Sequence, residues 1–274
     1  MNEQNLTNDH KWLIPSERVA LKPDSGAESG WDNKHKEGYS QQVFSVTDDE
    51  NLCKTLIHDI PQFRGAKVLI PGCGSRINLQ ERLLMDCPEI GELYCTDFSQ
   101  EAIDIAQSTW HSSSERIKFE VLDSTKITEL KPGLSNYFDF ILVVNSVLDR
   151  DDSTNRRMIQ EFGKLLKPGG RIYGLFPTIF CGLEIEQLDP TWSHRGFAYL
   201  PSSGFFERRQ SYRQIFYTPL RLNRIFKEAG LKRKQFEIFF CDSEFLSKNA
   251  EKIYNIDDSD IYIWEFIVRY EKEV

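Results

Sequence analysis

Two glycines separated by one residue, Gly72-Cys73-Gly74, follow the apolar run Val68-Leu69-Ile70-Pro71. Behind them Leu79, Leu83 and Leu84 recur at helical spacing. A strand, a glycine turn and a helix start form a ligand cradle. Glycine permits the tight turn and a close approach to the backbone, and the helix start offers unpaired N–H groups with a partial positive charge. That suits a carboxylate or a phosphate. Asp97 ends a second strand-like run, Glu92-Leu93-Tyr94-Cys95-Thr96. It lies roughly 20 residues beyond the glycines, the interval at which an acid reaches a ribose. Two hydroxyls on one carboxylate would make charge-assisted hydrogen bonds of about 1.5–3 kcal/mol each. A simple helix-capping role before Ser99 is the alternative for Asp97, but strand, spacing and acid agree on the ribose. The third glycine of a dinucleotide fingerprint would fall at Ile77, a β-branched residue, which speaks against a pyrophosphate across the loop.

The elements that must position these residues are legible in order. A helix over 52–60, with Leu52, Leu56, Ile57 and Ile60 on its apolar face, follows a capping box at Thr47-Asp48-Asp49-Glu50 and stops at Pro61. Ser99 caps a helix bearing Ile103, Ala106 and Trp110. Ile117 to Leu122 reads as a third strand ending at Asp123-Ser124, and Tyr137 to Val144 as a central, doubly buried fourth strand delivering Asn145. Asp152 or Ser153 caps a helix burying Met158, Phe162, Leu165 and Leu166, which Lys167-Pro168-Gly169-Gly170 ends before a fifth strand, Arg171 to Phe176. Thr218 as N-cap and Pro219 at the first helical position open another helix, with Gly230 past its end. Phe236 to Cys241 and Ile261 to Tyr270 are strong strand runs.

Together these segments resemble the class I S-adenosylmethionine-dependent methyltransferases. The likeness is carried by Val68-Leu69-Ile70-Pro71-Gly72-Cys73-Gly74, Asp97-Phe98-Ser99, Leu122-Asp123-Ser124, Phe138 to Asn145, and Leu165 to Ile172, in the family's order and spacing over about residues 65–177. Two positions depart from the pattern: Ile70 stands where the family often has an acid, and Arg76 where it has a third glycine. The resemblance implies an α/β fold: a three-layer, Rossmann-like, seven-stranded, mostly parallel sheet with an antiparallel final strand. It also implies S-adenosyl-L-methionine as cofactor, bound by Gly72, Cys73, Gly74, Asp97 and Phe98, with Asp123 taking the adenine amino group and the backbone at Ser124 a ring nitrogen. Asn145 would touch cofactor or acceptor. A Trp-Asp-x-x-aromatic box before the first strand is frequent in the family. Here Trp31 or Tyr39 would cover the sulfonium or the acceptor, an aromatic face being attracted to a cation; a packing anchor is the plain alternative. In catechol-type relatives acids near Asp149, Asp151 and Asp152 hold magnesium, but capping explains them here and no metal is expected.

Length and composition bound the rest. A chain of 274 residues suits one large α/β domain, here an N-terminal arm and cap helices over 1–60 and a core over 61–274. Residues 178–217 show no strong periodicity. They hold Trp192, His194, Arg195, Phe197, Tyr199, Phe205, Phe206, Tyr212 and Phe216, the composition of a substrate lid inserted after the fifth strand. Within the lid His194 is a candidate general base, although a lone loop histidine is more often simply exposed; Tyr39 is the other catalytic candidate. The net charge of −8 makes a poor general nucleic-acid binder. Nine basic residues nonetheless gather over 206–234, either a patch for an anionic substrate or tRNA or a solvated face. Six scattered cysteines without a C-x-x-C pair predict free thiols in a reduced, cytoplasmic setting. The polar start predicts no signal peptide, and no apolar run reaches a membrane span.

These readings converge on methyl transfer to a small organic molecule by a monomer or homodimer. A protein or RNA methyltransferase, an NAD-dependent oxidoreductase and a cofactor-binding protein without transferase activity are the rivals. Displacement at an activated methyl group needs alignment more than acid–base help, so no obligatory catalytic residue is read from the sequence.

Overall fold

The computed structural model describes residues 27–38, 45–111, 115–149, 151–181, 183, 197–200, 205–208, 215–241 and 263–274. In chain order the strands are β1 (Lys67–Pro71), β2 (Glu92–Asp97), β3 (Ile117–Val121), β4 (Phe138–Val144), β5 (Leu166–Pro177), β6 (Phe197–Leu200), β7 (Phe205–Arg208), β8 (Ile215–Phe216), β9 (Leu231–Cys241) and β10 (Ile263–Lys272). The helices are α1 (Ala27–Lys36), α2 (Glu50–Ile57), α3 (Asn78–Asp86), α4 (Gln100–Thr109), α5 (Ile127–Leu130), α6 (Asp152–Leu165) and α7 (Pro219–Glu228).

One seven-stranded sheet runs in the order β3-β2-β1-β4-β5-β10-β9. Strands β1 to β5 are mutually parallel, and β10 is antiparallel to both of its neighbours, β5 and β9. The parallel strands read as apolar runs because both faces are covered: from Phe138 to Val143 only Asp139 is not fully buried. One face packs on Leu52, Leu56, Leu79 and Leu83, from α2 and α3. The other packs on Ile159, Phe162, Ile225 and Phe226, from α6 and α7.

The anchor of the second face is Phe226. It is fully buried, stacks on Tyr270 with ring centroids 4.0 Å apart, and meets Phe176 edge-on at 5.7 Å. Phe226→Ala is expected to destabilise the chain by about 3–5 kcal/mol, read from denaturant unfolding, since a hole between two fixed rings cannot collapse. A second anchor ties the sheet to the end of α2. Asp59 accepts from the Tyr173 hydroxyl at 2.5 Å, Arg269 at 2.7 Å and Arg171 at 3.1 Å.

Several boundaries differ from expectation. The capping box is formed by Ser45 and Asp48 on a short 3-10 turn, not by Thr47, and Asp49 caps α2 by accepting from Asn51 and Leu52. Helix α2 ends at Ile57, and Ile60 lies in a separate turn that contains Pro61. Asp151, rather than Asp152 or Ser153, caps α6 by accepting from Ser153 N–H. The region expected to be a loop after β5 contains β6, β7 and β8, which form a small antiparallel sheet. Thr218 does cap α7, accepting from Arg221 N–H.

Candidate functional site

The first turn of the site is set by backbone geometry. Gly72 and Gly74 have φ of +62° and +63°, a region that L side chains rarely adopt. They fold the chain back at the end of β1, and Cys73 N–H ties the turn to the Thr96 carbonyl of β2 at 2.9 Å. A methylene added at Gly72 would lie 2.4 Å from Ser146 Cβ, so this glycine is what lets the turn sit against the end of β4.

Asp97 locks that turn to the start of α4. One carboxylate oxygen accepts from Gly74 N–H at 2.9 Å and the other from Ser99 N–H at 3.0 Å. Burial pushes its pKa up, opposed by the Ser99 and Gly74 N–H groups and by His35 nearby. Only 6% of Asp97 is exposed, so it is held as a buried acceptor at the carboxyl end of the sheet. The next residue, Phe98, is 37% exposed. Asp123, at the end of β3, accepts from the N–H and hydroxyl of Thr125, at 2.8 and 2.7 Å, and pairs with Lys126 at 3.4 Å. Ser124 sits half-buried in the same turn.

Helix α1 closes over this loop. Asp32 accepts from the Ser99 hydroxyl at 2.5 Å, and His35 Nδ1 lies 3.2 Å from Ser75 Oγ, with both residues buried. Trp31 is half-buried, with Lys34 Nζ 4.2 Å from its ring centroid. Burial lowers the Lys34 pKa to about 8. Sequence reasoning missed Asp32, His35 and Ser75 as site residues. The box around Trp31 was their only signal, since these contacts bridge 40 residues or more. Tyr39 and His194 lie outside the described residues.

The fourth strand ends on an unusual conformation. Asn145 has φ +45°; asparagine is among the few residues that tolerate it. Its amide donates to Glu265 Oε1 at 3.3 Å. Glu265 opens the β10 ladder opposite Pro177, the last residue of β5, and is 5% exposed. Burial raises its pKa to about 8, offset in part by the Asn145 amide. Glu265 Oε2, Asn145 Oδ1 and Ser146 Oγ are buried without a hydrogen-bond partner. Sequence reasoning missed Glu265, although a lone acid inside the apolar run Ile261 to Val268 was a usable signal.

Among the described residues no group of three or more metal-ligating side chains comes together. Asp149 accepts from Asp151 N–H at 2.7 Å, Asp151 caps α6, and Asp152 pairs with Arg156 and Arg221. Cys53, Cys73, Cys87, Cys95 and Cys181 are free thiols. No helix among the described residues is long and apolar enough to cross a membrane. Part of the basic stretch is paired with acids: Arg221 with Asp152, Arg224 with Glu228, Lys232 with Glu273 and Lys234 with Glu271. Lys232 and Arg233 also lie opposite Glu271 and Tyr270, and thus beside the start of β5, at the end of the sheet away from Asp97.

Comparison with known proteins adds to this geometry. A family model described as a methyltransferase domain matches residues 68–170, from β1 through the glycine pair that precedes Arg171. Over these residues the chain matches a methyltransferase domain, which supports an S-adenosylmethionine-dependent methyltransferase of class I fold. The chain is 25% identical over 245 residues to a tRNA N(3)-cytidine methyltransferase of Danio rerio, a match covering 86% of the chain. It spans only 63% of that relative's length. Its fold is similar to that of a methyltransferase from Methanosarcina mazei, with a TM-score of 0.57 and 16% identity over 80% of this chain and 97% of that one. It is also similar to the N-methyltransferase NodS of Bradyrhizobium japonicum, solved with S-adenosyl-L-homocysteine. There the TM-score is 0.57 and the identity 16%, over 89% of this chain and 98% of that one. The antiparallel β10 between β5 and β9 is not the order of a dinucleotide-binding oxidoreductase, whose sixth strand continues the parallel sheet.

Proposed function

We propose that the chain transfers the methyl group of S-adenosylmethionine to a small organic acceptor. The observation that supports this most is Asp97: one buried carboxylate holds the glycine turn and the α4 start together at the carboxyl end of the sheet. Open α/β sheets bind ligands at that end. The residues fit the cofactor. Asp97 would take the ribose hydroxyls on its remaining lone pairs, Phe98 would lie against the adenine, and Asp123 with the Ser124 backbone would read the adenine edge. Gly72, Cys73 and Gly74 would face the methionine portion, and Trp31 would cover the site from α1. When bound, the cofactor supplies a methyl group already activated by a sulfonium charge. The chain's own task is alignment, which contributes up to roughly 7–11 kcal/mol in well-oriented reactions. In this reading residues 1–60 form the arm and cap, 61–274 the core, and 178–217 the lid.

A small acceptor agrees with the ion pairs of Arg221, Arg224, Lys232 and Lys234, with the place of Lys232 and Arg233 at the end of the sheet away from Asp97, and with the net charge of −8. It also agrees with the rings of Phe180, Trp264 and Phe240, which cluster at the end of the sheet where β10 starts. The tRNA-modifying relative favours a second reading, an RNA acceptor. Methyl-labelled S-adenosylmethionine, incubated with a metabolite extract or with total tRNA, separates the two. The first reading expects label in small molecules, little changed between about 50 and 200 mM salt. Label in tRNA that falls steeply over that range would replace it with the second, because phosphate contacts release counterions.

A further inference from the structure

Three buried polar atoms without partners lie where the carboxyl end of β4 meets the start of β10: Glu265 Oε2, Asn145 Oδ1 and Ser146 Oγ. Buried polar atoms normally find partners, and each orphan calls for an explanation. These three are contiguous with the proposed cofactor site. Ser146 touches Gly72, Asn145 N–H is fixed to the Leu175 carbonyl at 3.0 Å, and the Asn145 amide reaches Glu265 Oε1. The left-handed Asn145 backbone is a second mark, since such conformations gather at functional sites.

The chemistry of the orphans defines what they would receive. Asn145 Oδ1 accepts only, as does Glu265 Oε2 when ionised, whereas Ser146 Oγ can donate or accept. An alcohol or thiol brings a single hydrogen; an amino group brings two or three. The rings of Phe180, Trp264 and Phe240 cluster at the same end of the sheet, with Phe180 and Phe240 38% and 51% exposed. That is a surface for the apolar part of the same molecule.

We propose that Glu265, with Asn145 and Ser146, forms the acceptor site of this methyltransferase, and that it takes an aromatic or heteroaromatic amine whose nitrogen is the atom methylated. The proposal rests on the methyl-transfer reading above. In the step, the nitrogen lone pair forms the new N–C bond as the S–C bond breaks. The S–C electron pair stays on sulfur, leaving a neutral thioether. The proton released from nitrogen passes to Glu265 Oε2 and from there to water. Glu265 acts in its ionised form, and burial, by raising its pKa, makes that carboxylate the stronger base and holds the proton until the product leaves.

The test uses the full chain saturated with S-adenosylhomocysteine and two probes, 2-aminopyridine and its N,N-dimethyl analogue, with binding followed by ligand-observed NMR. Wild type is expected to bind 2-aminopyridine at least about tenfold more tightly than the dimethyl analogue, because each lost N–H leaves a buried acceptor unpaired. Glu265→Gln is expected to lose at least about tenfold in 2-aminopyridine affinity while its affinity for S-adenosylhomocysteine stays within about twofold. Asn145→Gly, which keeps the backbone φ accessible, is expected to show the same pattern and serves if the first variant does not fold. Equal binding of both probes, no binding of 2-aminopyridine by wild type, or undiminished binding by both variants would overturn the proposal. Wild type failing to bind S-adenosylhomocysteine would instead sink the cofactor reading, and the acceptor site with it.

Discussion

Asp97→Asn should weaken binding of S-adenosylhomocysteine by at least roughly a hundredfold while the chain still folds. The carboxylate would accept two ribose hydroxyls at about 1.5–3 kcal/mol each, and about 1.4 kcal/mol is a factor of ten in affinity. The same oxygens already hold Gly74 N–H at 2.9 Å and Ser99 N–H at 3.0 Å. An amide in that place points a donor at one of these donors, so the glycine turn loosens as the ribose contact is lost. The effect on folding is smaller, about the 1–3 kcal/mol of an unsatisfied buried group. Titration of the cofactor product and thermal unfolding, run on the same preparation, check the two halves. A variant that binds as wild type would remove Asp97 from the site.

The second large effect is expected at Gly72. Gly72→Ala carries two costs. A left-handed backbone costs an alanine about 1–2 kcal/mol. The new methyl would also lie 2.4 Å from Ser146 Cβ, an overpacking that costs about 1–3 kcal/mol. Only the second can be relieved from across the contact. Ser146→Gly in the same chain removes the Cβ and Oγ atoms that clash, leaving the Ser146 Cα at an ordinary 3.5 Å. Denaturant unfolding of the four members of this cycle should therefore show the pair recovering the overpacking part while the conformational part remains. Strict additivity would mean that β1 and β4 do not meet where the structure places them.

These two residues also show what a sequence discloses and what it conceals. Gly72 and Asp97 were legible because local chemistry sets them: a turn that needs positive φ, and an acid at a strand end at a fixed interval. The parallel strands were legible because burial on both faces leaves an unbroken apolar run. The caps were misplaced by a residue or two because Ser45, Thr47, Asp48 and Asp49 are all good caps, and only packing of the turn on Val46 chooses between them. The β6–β8 sheet was hidden for a related reason: its strands are two to four residues long, too short to show a period. Glu265 carried a visible mark, an acid among apolar residues. What that mark meant depended on Asn145, 120 residues away in the chain and beside it in the fold. His35 carried only the box around Trp31, since its partner Ser75 is chosen by how α1 docks.

The central claim is that the cradle of Gly72, Gly74 and Asp97 holds a sulfur nucleoside. The most direct measurement is calorimetric titration of the purified chain with S-adenosylmethionine, S-adenosylhomocysteine and NAD in parallel. The structure predicts micromolar binding of both sulfur nucleosides and none of NAD. Binding of NAD alone, or of none of the three, would contradict it.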